Sequence, residues 1–255
     1  HRKAPQQGKN VTVKGDLGQS AAGKTDKNGE LTVPEVEQTE RHGVYIVGYT
    51  DGTFGPSRSM TRAEAAAIFA RLLAEKNGDT ISTAANTKFA DIPAHAWYSG
   101  YVKYLSNNGI TYGKSKTIFA PNDAITRAEF TTMAVRFFDV YGDGDAEIME
   151  QFSGFNDVSS GYWAAKYIKY AALHGWINGY GDGSFHAERE INRAEVVTIV
   201  NRLLGREADE DYIADNLRKL NTFPDVSRKH WAYYAVMEAA NAHTAVLGES
   251  ESWSK

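Results

Sequence analysis

Two short motifs recur along this chain in fixed register, and that repetition restricts its fold more than any other feature. The first is a loop leading to a helix start. Gly48-Tyr-Thr-Asp-Gly-Thr-Phe54 leads to Thr61-Arg62-Ala63-Glu64, and Gly113 leads through Phe119 to Thr126-Arg127-Ala128-Glu129. Gly179-Tyr-Gly-Asp-Gly-Ser-Phe185 leads to Asn192-Arg193-Ala194-Glu195. The step from Gly to Arg is 14 each time, and from Phe to Arg it is 8. The second motif is Phe89-Ala90-Asp91 with Trp97, Phe155-Asn156-Asp157 with Trp163, and Phe223-Pro224-Asp225 with Trp231, always 6 from Asp to Trp. The motifs alternate, so two units are complete and a third is divided between the two ends. Units of this period bury their apolar faces against one another.

Each first motif reads as a helix start. Thr61, Thr126 and Asn192 suit the N-cap, and Glu64, Glu129 and Glu195 at N3 complete a capping box. Met60, Ile125 and Ile191 before the caps, with Ala65, Phe130 and Val196 at N4, form hydrophobic staples. Matched core stripes follow: Ile68, Leu72, Leu73; Met133, Phe137, Phe138; Ile199, Leu203, Leu204. A second amphipathic helix follows each Trp, with Trp97, Tyr101 and Leu105, and Trp163, Tyr167 and Ala171, on one face. Core packing is the plain expectation for these Trp; the alternative is a rim position stacking on a ligand.

Arg at N1 is at odds with the helix dipole, yet Arg62, Arg127 and Arg193 all stand there. Such an Arg either pairs locally with an acid or packs its stem on the aromatic surface, or joins free backbone N–H groups in an anion site for a carboxylate or phosphate. Asp91, Asp157 and Asp225 either cap the Trp helices or face a ligand. The loops are tight turns without the Gly-Lys-Ser/Thr of a phosphate loop. Residues 139–150 mimic a calcium loop, but Tyr141 stands where a ligand oxygen is needed. No metal-ligand spacing, catalytic motif or cofactor signature is present.

Other chemistry is excluded by composition. There are no Cys, so no disulfide, thiolate metal site or Cys nucleophile. Lys+Arg number 28 against 32 Asp+Glu, a formal charge of -4, without the basic excess of a nucleic-acid binder. No apolar run is long enough to span a membrane. The chain opens at His1 without an apolar leader and is expected to be a processed or truncated piece, which leaves room for a signal sequence removed before it.

The motifs resemble the S-layer homology repeats of bacterial surface proteins. The correspondence runs through Phe155-Asn-Asp157-Val158, Trp163-Ala164, Gly175-Trp-Ile-Asn-Gly179, Asp182-Gly183-Ser184-Phe185 and Asn192-Arg193-Ala194-Glu195. The middle loop, Gly113-Lys114-Ser115-Lys116-Thr117-Ile118-Phe119, lacks Asp-Gly. The resemblance implies a mainly α, pseudo-threefold domain of helix-loop-helix repeats in one chain, its split repeat closed by the two ends. The expected divisions are a linker or upstream tail at 1–40, repeat 1 (second half) at 41–87, repeat 2 at 88–153, repeat 3 at 154–221, the completing half at 222–247, and a tail at 248–255. It implies a secreted, cell-surface, non-catalytic anchor, monomeric and without cofactor, that binds an anionic, often pyruvylated, secondary cell wall polysaccharide in grooves between repeats. A glycan-active enzyme fragment and a protein-protein assembly module are the alternatives.

Three grooves are expected: Arg62 with Asp91 and Trp97, Arg127 with Asp157 and Trp163, and Arg193 with Asp225 and Trp231, with Gly48, Gly113 and Gly179 in their loops. The Arg would hold the carboxylate, and Arg→Ala would spare the fold. Glu188 and Glu190 are expected to make the Arg193 groove the weakest. The terminal element, 223–247, is expected to pack beside 44–74, where Ile68, Leu72 and Leu73 would otherwise lack a partner helix.

Overall fold

The structure, a computed structural model, describes residues 38–141, 154–248 and 251–254, with the strand backbone at 10–14, 20–25 and 31–32. The calcium-like stretch therefore lies, beyond Tyr141, outside the described residues. The protein is mainly helical. Three helices begin at the repeated Arg: α1 (Arg62–Asn77), α3 (Arg127–Tyr141) and α5 (Arg193–Leu204). Three shorter ones begin two residues after each repeated Trp: α2 (Ser99–Asn107), α4 (Ala165–Leu173) and α7 (Tyr233–Ala240). Helix α6 (Glu210–Asn216) stands between α5 and α7 in sequence.

The capping boxes form as the sequence dictates. Thr61 and Asn192 exchange bonds with Glu64 and Glu195, and Thr126 does so with Glu129. The staple residues Met60, Ile125 and Ile191 are fully buried, as are Ala65, Phe130 and Val196. Their backbones also meet. Met60 N–H donates to the Ile191 carbonyl at 3.0 Å, Ile191 N–H to Ile125 at 3.0 Å, and Ile125 N–H to Met60 at 2.9 Å. This closed ring of three hydrogen bonds joins the starts of α1, α3 and α5. Around it the amides of Arg62 and Ala63 donate to Asp123 and Pro121, those of Arg127 and Ala128 to Arg189 and Ala187, and those of Arg193 and Ala194 to Arg58 and Pro56. The loop of one unit thereby satisfies the first donors of another unit's helix, which would otherwise lack partners.

The core lies where the three long helices meet. Phe69 of α1 packs on Phe130 and Phe137 of α3, with centroids 5.3 and 4.9 Å apart. Phe138 and Leu204 are half-buried, and the other stripe residues are buried. Helix α2 packs on α1, α4 on α3 and α7 on α5. Ile68, Leu72 and Leu73 thus do not depend on the terminal helix. Each Trp-proximal helix thus packs against the long helix that precedes it in sequence.

The terminal element does reach the first unit, but by other contacts. Strand β4 (Gln38–His42) pairs antiparallel with β5 (His243–Leu247), which pairs with β6 (Ser252–Ser254). Gln38 lies opposite Leu247, and His42 opposite His243. Strand β4 spans the expected boundary at 40/41, and β6 falls within the stretch read as a tail. Phe223 packs on Phe54 at 5.3 Å, and Tyr45 N–H donates to Ala239. A second antiparallel sheet, β1 (Asn10–Lys14), β2 (Ser20–Thr25) and β3 (Leu31–Thr32), precedes these elements.

Because Ile125 is fully buried at the ring, Ile125→Ala should cost about 2–5 kcal/mol. At about 2–4 °C per kcal/mol, the thermal midpoint should fall by about 4–20 °C. Calorimetry showing an unchanged midpoint would deny the ring its structural weight.

Candidate functional site

The repeated Arg side chains reach forward into the next unit. Nε of Arg62 donates to the Phe119 carbonyl at 2.7 Å, that of Arg127 to Phe185 at 2.9 Å, and that of Arg193 to Phe54 at 2.8 Å. Nη1 faces the capping Glu of the neighbouring helix: Glu129 at 3.2 Å, Glu195 at 3.1 Å and Glu64 at 3.9 Å. Phe119, Phe185 and Phe54 lie against the guanidinium groups at 5.0, 4.5 and 4.7 Å. Burial lowers the pKa of Arg127, opposed by Tyr180 and Glu195, and that of Arg193, opposed by Tyr49 and Glu64. Both remain cations, since arginine does not deprotonate in proteins. Local pairing is therefore the observed role. The anion site built on free helix N–H groups is not, because neighbouring loops occupy those donors.

Three grooves open beside these residues. One combines Arg62 with Gly113, Lys114, Glu129, Arg136 and Trp163. Another combines Arg127 with Asn178, Tyr180, Glu195, Arg202 and Trp231. The last combines Arg193 with Gly48, Tyr49, Glu64, Arg71 and Trp97. The expected pairing of each Arg with the Trp that next follows it is therefore wrong by one unit. The cause is the forward reach of the guanidinium, which puts the groove beside the neighbouring long helix and the Trp preceding that helix's partner.

The same displacement moves the loop charges. Arg58 lies 4.1 Å over Tyr49 in the Arg193 groove, and Arg189 bonds Tyr180 and Glu195 in the Arg127 groove. Glu188, expected to weaken the Arg193 site, lines the Arg62 groove and accepts from Tyr162. Glu190 accepts from Ser59. The argument for Arg193 as the weakest site therefore fails.

The three Trp are 54, 53 and 65 % exposed, so they are rim residues and not core. Each precedes its helix and escapes the apolar face. The three Asp neither cap those helices nor hold the Arg. Asp91 accepts from the amides of Phe119 and Ala120, Asp157 from Phe185 and His186, and Asp225 from Phe54 and Gly55, at 2.6–3.2 Å. Burial tends to raise the Asp157 pKa, but the Phe185 and His186 amides outweigh it and lower the value. The repeated Gly are explained by close approach. A Cβ on Gly48, Gly113 or Gly179 would collide with the ring of Phe223, Phe89 or Phe155. Gly48 and Gly113 also line grooves, whereas Gly179 is flanked by the lining residues Asn178 and Tyr180.

A second set of cations escaped the sequence reading. Arg71, Arg136 and Arg202 each stand 9 residues after a repeated Arg. Arg71 lies 5.0 Å over Tyr101, and Arg136 lies 4.7 and 5.1 Å from the rings of Tyr112 and Tyr167. Arg202 reaches the Asn178 side chain at 3.3 Å once that amide is oriented to match. Among the described residues none of the three is ion-paired. Their constant offset was the signal available. The Arg62 groove is also the largest, about 500 Å³ against about 190 and 220 Å³. Nη2 of Arg127 and of Arg193 donates to the carbonyl of Asn178 and of Val47, and among the described residues Nη2 of Arg62 has no such carbonyl.

The fold and grooves define a helical repeat domain with exposed Trp facing basic residues. Residues 32–66, 88–131 and 154–197 match the S-layer homology domain, and the chain belongs to that family. It is 34% identical over 218 residues to cell surface glycoprotein 1 of Acetivibrio thermocellus, covering 82% of this chain and 9% of that protein. It is 30% identical over 233 residues to the cellulosome-anchoring protein of the same organism, covering 91% of this chain and 49% of that protein. The surface-layer 125 kDa protein of Lysinibacillus sphaericus is 32% identical over 163 residues, 62% of this chain and 13% of that protein. The chain thus spans half or less of these relatives. Among the described residues no helix is long and apolar enough to cross a membrane.

The geometry assigns opposite stability effects to the two kinds of groove residue. Arg62→Ala leaves Glu129 and the Phe119 carbonyl without their partner and should cost about 3 kcal/mol. Trp231→Ala should change stability by no more than about 0.5 kcal/mol. Urea denaturation of both variants checks this; equal midpoints would contradict the assignment.

Proposed function

We propose that this chain is a non-catalytic anchoring module of a secreted bacterial surface protein, held to the cell wall by an anionic secondary polysaccharide. In this reading the repeats form one pseudo-threefold domain, with the first repeat divided between the two ends, and the domain acts as a monomer. The chain divides as the repeats do, with residues 1–40 leading in from an upstream part. The observation that carries the proposal is the Arg62 groove, where Arg136, which among the described residues has no carboxylate partner and donates only to the Tyr167 hydroxyl, lines the same space as the half-exposed Trp163. A guanidinium suits a carboxylate such as that of ketal-linked pyruvate, and an exposed indole suits a sugar ring. The names of the cellulosome-anchoring and surface-layer relatives support an anchoring role.

The Arg62 groove has two carboxylates, as a glycosidase needs. Both are occupied: Glu129 by Thr126 N–H and Arg62, and Glu188 by Tyr162. Their engagement supports binding without turnover.

The test is co-sedimentation with purified sacculi, before and after extraction of the non-peptidoglycan polymer. Arg136→Ala should weaken binding about 10-fold or more, as a charge-assisted contact of about 1.5–3 kcal/mol requires, and Trp163→Ala should weaken it through lost stacking, both with the melting temperature kept. Depyruvylated polymer should bind as weakly as the Arg136 variant. Undiminished binding by the double variant, or to extracted sacculi, would refute the proposal.

A further inference from the structure

Away from the grooves, four potential metal ligands converge beneath the β4–β5–β6 sheet. His42 on β4 and His243 on β5 lie directly opposite each other, Glu238 comes from α7, and Glu251 immediately precedes β6. One donor atom from each lies within 4.8 Å of all the others. His42 Nδ1 is 3.1 Å from Glu238 Oε1 and 3.3 Å from Glu251 Oε1. His243 Nε2 is 3.3 Å from Glu238 Oε2 and 3.4 Å from Glu251 Oε1. A tetrahedral zinc ion with bonds of about 2.0–2.1 Å holds its ligands about 3.3–3.4 Å apart. The four His–Glu contacts already stand near that distance, those to Glu238 through its two different oxygens, and the remaining pairs lie within 4.8 Å.

The surroundings fit an ion as well. The side chains of His42, His243 and Glu251 are almost inaccessible, and that of Glu238 is wholly so. Oε2 of Glu238 is buried without a hydrogen bond. Nδ1 of His243 faces the Asn241 carbonyl at 2.9 Å, an acceptor that needs the proton there. Nε2 then turns its lone pair toward two carboxylates, an arrangement that calls for a cation between them or a second proton on the ring. The backbone amide of Glu207 orients Glu251 at 3.0 Å, and Trp253 stacks on His243 at 3.8 Å. Such outer partners hold first-shell ligands in place.

We propose that His42, Glu238, His243 and Glu251 form a closed structural zinc site that ties β4 to β5 and α7. Two imidazoles favour zinc over calcium or magnesium, and four protein ligands leave no open position for catalysis. Binding requires the donor nitrogens to be free of protons, and its free energy adds to folding.

The test uses the full chain, stripped with a chelator and then titrated with zinc or cobalt(II). One zinc per chain by mass spectrometry, a higher melting temperature with zinc, and the intense visible bands of tetrahedral cobalt are expected. Glu238→Gln and His243→Asn should weaken cobalt binding roughly 10-fold or more. Should those variants fail to fold, the cobalt spectrum of the unaltered chain still decides. A weak, octahedral-type cobalt spectrum, or melting indifferent to zinc, would mean that protons fill the cluster and would overturn the proposal.

Discussion

The ring of hydrogen bonds among Met60, Ile125 and Ile191 is the constraint on which the rest depends. It joins the starts of three long helices whose sequence positions are far apart. A buried backbone amide without a partner is costly, so each staple residue needs the other two in place. The apolar side chains keep water from those bonds, and the capping boxes orient the chain that enters them. With the starts joined, the helices converge and the aromatic core fills between them.

The same geometry explains the repeated Arg. A cation is poorly placed at a helix start, yet each guanidinium extends away from its own helix to a Phe carbonyl and a Glu in the neighbouring unit. Its charge is used to join units. At the groove margin the Trp are exposed, and among the described residues Arg71, Arg136 and Arg202 rest on or beside the walls without carboxylate partners. Framework and groove margin thus use different members of one repeated pattern.

What was legible in the sequence was local. A cap, its Glu three residues later and the staple around them are set by helix geometry alone, and all three capping boxes formed. What failed was the step from one unit to the next. Arg62 meets Trp163 and not Trp97 because its direction depends on how units dock, which spacing does not encode. The Trp looked like core residues because their helices were assumed to include them; the helices begin two residues later. The Asp found partners about thirty residues or more away, in loop amides with no side-chain signature. His42 and Glu238 are 196 positions apart, beyond any motif of fixed spacing.

The pairing of β4 with β5 has a mechanical consequence. Residues preceding Gln38 enter the body through β4, whose partner strand directly continues from α7. Tension applied through those residues, with the helical body held fixed, would fall first on this ladder. A load along the strands strains its bonds together in shear, whereas a load across them opens one pair at a time. The direction of pull would then decide how long this ladder stays intact.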